Sequence, residues 1–336
     1  MVAVDSLGER GIINLLRQRL ELMPNMAVPF GDDVSAVSID NSDDGGEVAV
    51  LKVDMLVAKT DVPAKMCLYD AARKAIVMCV SDFASKGVQP VAALVALGLP
   101  NCLATVESVV EIVDGLNAAA REYGAYIVGG DTGETGDLTI SVSLYGKAFK
   151  SVLMLRDGAK AGDVLAVTGV FGKSSAGLRL LLDDSYVASS RARLVLENAV
   201  FRPVARLVEG LALSKSGCVS ASMDSSDGLA WSLHELMRMS NVGFTLDLVP
   251  VAVETVEFAQ QNGLNAESLA LYGGEEYELV LTVPPEKWDA AKKAVEEVGG
   301  KLIAIGRATE HREIVLLQAG GRKQVINHCG YEHFTS

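Results

Sequence analysis

An α+β fold in two successive domains is what this sequence predicts, on three observations. Apolar residues make up 49% of a 336-residue chain, enough for two packed cores. Strand-like and helix-like patterns mix in both halves without a regular strand–helix–strand rhythm, which favours α+β layers over a doubly wound sheet. A polar connector, Arg156-Asp157-Gly158-Ala159-Lys160-Ala161-Gly162-Asp163, separates the two cycles, and the boundary is set near Lys150, giving domains 1–149 and 150–336.

In chain order, apolar spacing predicts a helix over 6–22, followed by the turn-rich Pro29-Phe30-Gly31-Asp32-Asp33. A strand over 34–39, a solvated polar tip containing Asp43 and Asp44, and a strand over 48–57 read as a hairpin. From Leu68 to Lys86 apolar residues recur at three- and four-residue steps, the pattern of an amphipathic helix ended by Gly87. A strand over 91–99, a helix over 104–123 and a strand over 125–128 follow, then Gly129-Gly130-Asp131-Thr132-Gly133 and an alternating strand over 138–148. The second half is expected to hold strands over 164–168, 243–248, 277–283, 301–306 and 313–317. Its helices are expected near 173–183, 190–213, 228–240, 253–262 and 285–298.

Composition removes several function classes. Lys and Arg number 30 against 43 Asp and Glu, an unfavourable balance for neutralising a nucleic-acid backbone. The amino-terminal segment lacks the basic-then-apolar plan of an export signal, and no window reaches the roughly 18 apolar residues of a spanning helix, so a soluble, cytoplasmic protein is expected. Five scattered cysteines without C-x-x-C fit reduced thiols, and Cys79 lies on the apolar stripe of its helix. Four histidines, dispersed, do not suggest a transition-metal centre.

Chemistry is concentrated in aspartates set beside glycines or at the ends of apolar elements: Asp32, Asp54, Asp82, Asp131, Asp224 and Asp227. Strand alternation puts Asp54 on one face with Lys52 and Leu56, where a carboxylate needs a cation or hydrogen-bond donors. Asp82 falls at the edge of the buried stripe of its helix. Asp131 follows two glycines at a strand end, where backbone can approach a phosphate and a carboxylate can hold a metal. Asp224 and Asp227 flank Ser225-Ser226 just before a helix start, whose N–H groups suit an anion; Asp227 alternatively serves as the helix N-cap. Together the six suit a hard divalent cation such as Mg²⁺ bridging to phosphates. Gly169-Val170-Phe171-Gly172-Lys173-Ser174 imitates a phosphate loop but has two residues between its glycines instead of four, and it reads as a strand-to-helix turn. Ser225 and Ser226 are not in G-x-S-x-G, which disfavours a serine hydrolase.

Read in order, Phe30-Gly31-Asp32-Asp33, Val53-Asp54-Met55-Leu56-Val57, Ala72-Arg73-Lys74-Ala75 with Val80-Ser81-Asp82, and Gly129-Gly130-Asp131-Thr132 resemble the thiamine-monophosphate kinase family. The order continues through the connector at 156–163, Met223-Asp224-Ser225-Ser226-Asp227-Gly228-Leu229, Gly273-Gly274-Glu275-Glu276-Tyr277-Glu278-Leu279 and Gly330-Tyr331-Glu332-His333-Phe334. The resemblance spans nearly the whole chain. It implies the two-domain α+β fold of the aminoimidazole ribonucleotide synthetase superfamily, with the first domain binding ATP and Mg²⁺ and forming the sheet or barrel of a homodimer. The second domain would complete the nucleotide and substrate site.

By that resemblance, Asp32, Asp54, Asp82, Asp131, Asp224 and Asp227 would hold several Mg²⁺ ions. Gly130, Asp131, Arg156 and Ser226 would contact ATP, and Glu275 and Tyr331 the thiamine phosphate. Two positions depart from the family pattern. Lys52 and Val53 stand where many relatives have two small hydroxyl residues, so at least one side-chain metal ligand is missing, and Asp61 stands where many carry a substrate-meeting histidine. Asp61 would then pair with the cationic thiamine ring or bind its aminopyrimidine. The implied activity is in-line phosphoryl transfer from ATP to thiamine monophosphate, with Mg²⁺ bridging the two phosphates, Asp82 and Asp131 central and no phosphoenzyme. Rivals are a selenophosphate synthetase, a purine-pathway ATP-dependent ligase, or a nucleotide-binding scaffold like the hydrogenase-maturation proteins. The first two are disfavoured by the absence of a reactive Cys-Gly-rich amino-terminal loop and by the Gly273–Leu279 and Gly330–Phe334 motifs, the last by a carboxyl terminus that does not end in cysteine.

Overall fold

The computed structural model describes residues 8–21, 23–24, 26–28, 30–39, 46–318 and 320–331. Pro29, the tip carrying Asp43 and Asp44, and the tail from Glu332 to Ser336 lie outside the described residues.

The first half begins with α1 (Gly8–Arg19), β1 (Ser35–Ser38), β2 (Glu47–Val57), the short α2 (Ala58–Asp61) and the long α3 (Leu68–Lys86). It continues with β3 (Pro90–Leu99), α4 (Val106–Glu122), β4 (Tyr126–Glu134) and β5 (Thr139–Phe149). These strands form one sheet in the order β1-β2-β5-β3-β4. Only β3 and β4 pair in parallel; the other neighbours are antiparallel. Alternation along β2 turns Val48, Val50 and Leu56 to the core and Leu51, Val53 and Met55 outward, as its period of two requires.

The second half holds β6 (Val164–Val167), α5 (Lys173–Leu182), α6 (Ser190–Phe201), α7 (Leu207–Ser216), β7 (Ala221–Asp224), α8 (Leu229–Ser240) and β8 (Gly243–Leu246). Then come α9 (Val253–Asn262), α10 (Ala266–Tyr272), β9 (Leu279–Val283), α11 (Trp288–Glu297), β10 (Ile303–Thr309), β11 (Ile314–Leu317) and β12 (Lys323–Val325). Its sheet runs β12-β11-β8-β10-β6-β9-β7, antiparallel except for β11 beside β8.

Four expectations change in physical detail. The helix expected over 190–213 is two, because Pro203 forces Arg202 off helical geometry (φ −133°, ψ 62°) and cannot donate its own hydrogen bond. The Gly129–Gly133 segment is strand, not loop: it extends β4 along β3, with a register shift that absorbs one residue between Ala93 and Leu94. Gly130 permits that pairing, since a Cβ there would sit 1.8 Å from the Val95 carbonyl oxygen. Helix α3 is not amphipathic in its setting. It is buried nearly all round, with β2 and β5 on one side and α4, α7 and β7 on the others, so its polar residues face protein instead of water. A short strand at 221–224 and a helix at 266–272 also form where the apolar pattern gave no separate signal.

The main core is continuous across both halves: Leu56, Ile76, Phe83 and Ile140 pack in the same cluster as Leu213, Leu279, Leu281 and Val295. A second cluster lies under α8 and β8, with Leu233, Leu236, Phe244 and Leu246. No helix among the described residues is long and apolar enough to cross a membrane.

Candidate active site

The carboxylates converge where β2, α3 and β7 meet. Oxygen atoms of Asp33, Asp82 and Asp224 lie within 4.8 Å of one another, and all three residues are buried. Asp33 comes from the turn before β1, Asp82 from the last turns of α3, and Asp224 from the end of β7, so the trio exists only when the two halves are docked.

Each member has a different electrostatic setting. Burial alone would raise Asp33, but the Arg156 guanidinium and the Lys86 ammonium outweigh it and hold the carboxyl well below its usual range. Lys86 Nζ lies 2.7 Å from Asp33 and 2.7 Å from Asp32, and also donates to the Ser222 carbonyl at 2.7 Å. Arg156 Nε donates to Asp33 at 2.7 Å, and Ser85 Oγ donates to it at 2.8 Å. Asp82 is pushed well up, by burial first and then by Asp54, Asp224 and Asp33, against the opposing pull of Lys52. Asp224 rises to about 6 through burial and the nearby Asp33, although Ser81 Oγ donates to it at 2.6 Å. Asp227 rises to about 7 through burial, Asp224 and Glu9. Burial and mutual repulsion thus raise two carboxylates beside a third that its two cations keep ionised.

Asp54 lies on the inward face of β2, as alternation predicts, and pairs with Lys52 at 3.2 Å; the same ammonium is 3.0 Å from Asp82. Burial would lower the Lys52 pKa, but Asp82 and Asp54 raise it well above the ordinary lysine value. The trio contains Asp33 where sequence reasoning selected Asp32. The Asp32 carboxylate is instead held by Lys86 and by the backbone amide of Arg156 at 3.0 Å. Asp131 is exposed on β4, and among the described residues no hydrogen bond or ion pair joins it to the trio. Gly130 precedes it on the same exposed strand. Arg156 is committed to Asp33 and also donates to the Gly31 carbonyl at 3.3 Å.

Asp227 does not cap α8. The N-cap is Gly228, at φ 111°, and no side chain caps the helix, which leaves its first amides oriented toward an anion. Ser226 contributes its carbonyl, which accepts the Glu275 amide at 2.6 Å, while the buried Ser225 hydroxyl has no hydrogen-bond partner among the described residues.

Two substrate candidates are tied together by a residue that sequence reasoning did not select. Lys74 Nζ, almost wholly buried on α3, reaches the Asp61 carbonyl at 2.9 Å and the Glu275 carboxylate at 2.5 Å. The Asp61 carboxylate turns back to accept the Val57 amide at 2.7 Å, closing the α2 turn. Glu275 adopts a left-handed backbone (φ 62°), an uncommon conformation for a side-chain-bearing residue. Tyr331 joins them: its amide donates to the Asp227 carbonyl at 3.1 Å, and burial followed by Asp61 and Glu275 raises its phenol. The Tyr277 phenol is raised by burial and then by Glu275, Asp224, Asp54 and Asp61 together. Next to Glu275 lies a cavity of about 550 Å³, lined in part by Lys173, Asn198, Arg206, Glu276 and Glu278.

The imitation phosphate loop already holds an anion of its own. The buried Glu276 carboxylate accepts the amides of Gly172 at 2.6 Å and Ser174 at 3.1 Å, filling the start of α5. Burial raises Glu276 to about 7. Asp33, Lys74, Ser81 and Lys86 are the site residues that sequence reasoning missed. The available signal was the doubled acid after Gly31, together with polar residues at helical spacing in an otherwise apolar helix.

Comparison with known proteins covers almost the whole chain. Residues 31–148 match the family described as AIR synthase related protein, N-terminal domain, and residues 160–317 its C-terminal domain. A thiamine-monophosphate kinase of Nitrosopumilus maritimus is 34% identical over 287 residues, 85% of this chain and 89% of the relative. One of Pyrococcus horikoshii is 34% identical over 322 residues, 95% of this chain and 94% of its own. Among solved structures, one described as AaThiL complexed with AMPPCP and TMP superposes with a TM-score of 0.84 at 30% identity, covering 99% of both chains.

Proposed function

Because this chain belongs to the thiamine-monophosphate kinase family of AIR synthase related proteins, we propose that it transfers the terminal phosphoryl group of ATP to thiamine monophosphate, giving ADP and thiamine diphosphate. The observation that carries this reading is the buried Asp33–Asp82–Asp224 trio, set across the docked halves.

The donor set fits Mg²⁺. It offers hard carboxylate oxygens, two of them with pKa raised by burial and by neighbouring carboxylates, beside a buried serine hydroxyl that has no partner among the described residues. Held by Asp33, Asp82 and Asp224, with Asp32, Asp54, Asp131 and Asp227 as the further family candidates, Mg²⁺ would supply positive charge to the phosphate oxygens during transfer.

The chain's own residues have a limited set of tasks. The acceptor is a phosphate oxygen already ionised at neutral pH, so no side chain has to remove a proton from it. Among the described residues the buried Ser225 hydroxyl has no hydrogen-bond partner that could take its proton, which supports direct transfer without a phosphoenzyme. The amides at the start of α8 suit a phosphate oxygen. Gly130 and Asp131 on β4, with Arg156 and Ser226, are the nucleotide contacts of this reading. Glu275, held by Lys74, presents an anionic wall to a cationic thiazolium, and Asp61 and Tyr331 are the further substrate contacts of this reading. Positioning the two phosphates then accounts for most of the catalysis.

The outer face of the first sheet exposes Leu51, Val53, Met55, Leu94, Tyr126 and Val128. A sheet face with this many exposed apolar side chains suits a second copy of the chain, and a homodimer through it is part of the reading. So is a cytoplasmic setting, which agrees with five free cysteines.

The test is ADP and thiamine diphosphate formation from ATP, Mg²⁺ and thiamine monophosphate, with thiamine and aminoimidazole precursors as parallel acceptors. The two products are expected one-for-one and only with the monophosphate. ATP binding without thiamine diphosphate would overturn the reading in favour of a superfamily ligase or a maturation scaffold.

A further inference from the structure

Two openings in the acidic site share Asp82. One lies among Asp33, Asp82 and Asp224, whose carboxylate oxygens come within 4.8 Å of one another, with Lys86 and Arg156 bonded to Asp33. The other lies between Asp82 and Asp54, and Lys52 fills it: its ammonium stands 3.0 Å from Asp82 Oδ2 and 3.2 Å from Asp54 Oδ1. The Lys52 side chain is 21% exposed, between carboxylates that are 25% and 10% exposed, so it is enclosed with them and is not a surface lysine reaching over. Strand alternation delivers it there, because Lys52 and Asp54 share the inward face of β2 while Leu51, Val53 and Met55 point out.

We propose that the Lys52 ammonium is a built-in cation that takes the place of one divalent ion in this site, so that the chain binds one divalent ion fewer than its carboxylates alone would hold. The ammonium sits at hydrogen-bond distance from both oxygens, where an ion coordinated at about 2.0–2.1 Å would otherwise bring them together. A second cation in the same gap would meet like charge at close range, and Asp54 would have to give up its lysine to bind it. Asp54 therefore acts as the partner of Lys52, and the divalent ion is left to Asp33, Asp82 and Asp224. This rests on the phosphoryl-transfer reading only for the presence of a divalent ion at that trio, not for the identity of the acceptor.

The test counts Mn²⁺ bound per chain by the full-length, metal-stripped protein, using the electron paramagnetic resonance signal of free Mn²⁺, with no nucleotide or thiamine present. Lys52→Ser removes the ammonium and leaves a small oxygen donor; it is expected to bind one Mn²⁺ more than the parent. Adding Asp54→Asn to Lys52→Ser is expected to return the count to the parent's. Asp54→Asn alone is expected to leave the parent's count unchanged, because lysine and not an ion is its partner. An unchanged count in Lys52→Ser, or the loss of an ion in Asp54→Asn alone, overturns the proposal. The Asp54→Asn result decides the matter even where Lys52→Ser fails to fold. Since no substrate is present, a failure of the kinase reading would appear in the product assay and leave these counts as they are.

Discussion

Lys86 offers the sharpest test of how the two halves are joined. Its ammonium is fully buried, 2.7 Å from Asp32 and 2.7 Å from Asp33, and its third contact is the Ser222 carbonyl on β7. Lys86→Met keeps an unbranched side chain, one atom shorter, and removes the charge. Asp33 would still have Arg156 and Ser85, but among the described residues Asp32 would keep only backbone amide donors. Removing one partner of a buried, hydrogen-bonded ion pair costs about 3–5 kcal/mol, because the remaining charge is left without compensation. At about 2–4 °C per kcal/mol for a domain of 150–250 residues, the melting temperature should fall by about 6–20 °C, measured by scanning calorimetry. Adding Asp32→Asn to Lys86→Met removes the stranded charge, so the double variant should be destabilised by less than the sum of the single changes, with a coupling of about 0.5–3 kcal/mol. A loss below about 1 kcal/mol for Lys86→Met, or strict additivity in the double variant, would refute the view that this lysine is the obligatory counter-ion.

Two further outcomes are expected. In metal-free protein, Asp224 at about 6 and Asp227 at about 7 bind protons more tightly than in the unfolded chain, so their contribution is greatest below the ordinary carboxylate range and is lost as pH rises through 6 and 7. Linkage puts that loss at about 3 kcal/mol between about pH 5 and about pH 7, and saturating Mg²⁺ should restore most of it; a metal-free melting temperature that rises over this interval would contradict the assignment. Gly130→Ala brings a Cβ to 1.8 Å from the Val95 carbonyl oxygen, so β4 must shift from β3 at a cost of about 1–3 kcal/mol. Hydrogen exchange should accelerate at the β4 amides while α3 stays protected, and unchanged β4 protection would show that the strand tolerates the methyl.

The layout of strands and helices was legible because period-2 and period-3.6 patterns are strong in this chain, and alternation along β2 correctly put Lys52 and Asp54 on one face. What misled was the meaning of polar residues. In α3 the residues Lys74, Ser81, Ser85 and Lys86 look like the wet side of an amphipathic helix, and Lys86 like an ordinary basic residue at a helix end. Sequence pattern reports which face is polar, not whether water or protein covers it. The same ambiguity hid Asp33, since nothing local distinguishes it from Asp32 in the doubled acid after Gly31. Asp131 was read at a strand end whereas β4 runs on through it to Glu134, and its relation to the trio depends on how β4 lies at the edge of the sheet, which periodicity does not encode.

The polar face of α3 explains why the site and the fold are hard to separate. Lys74 holds Asp61 and Glu275, Ser81 holds Asp224, Ser85 and Lys86 hold Asp33, and Asp82 is itself one of the trio. These positions recur at 7, 8, 11 and 12 residues from Lys74, so one helical surface carries them all. Burying such a surface is costly unless every group finds a partner, and several of those partners belong to the second half: Asp224, Glu275 and the Ser222 carbonyl. Docking of the halves and assembly of the carboxylates are therefore one event. Changes on this face should move stability and turnover together, whereas changes at Asp131 on the exposed strand β4 should affect turnover with little effect on stability.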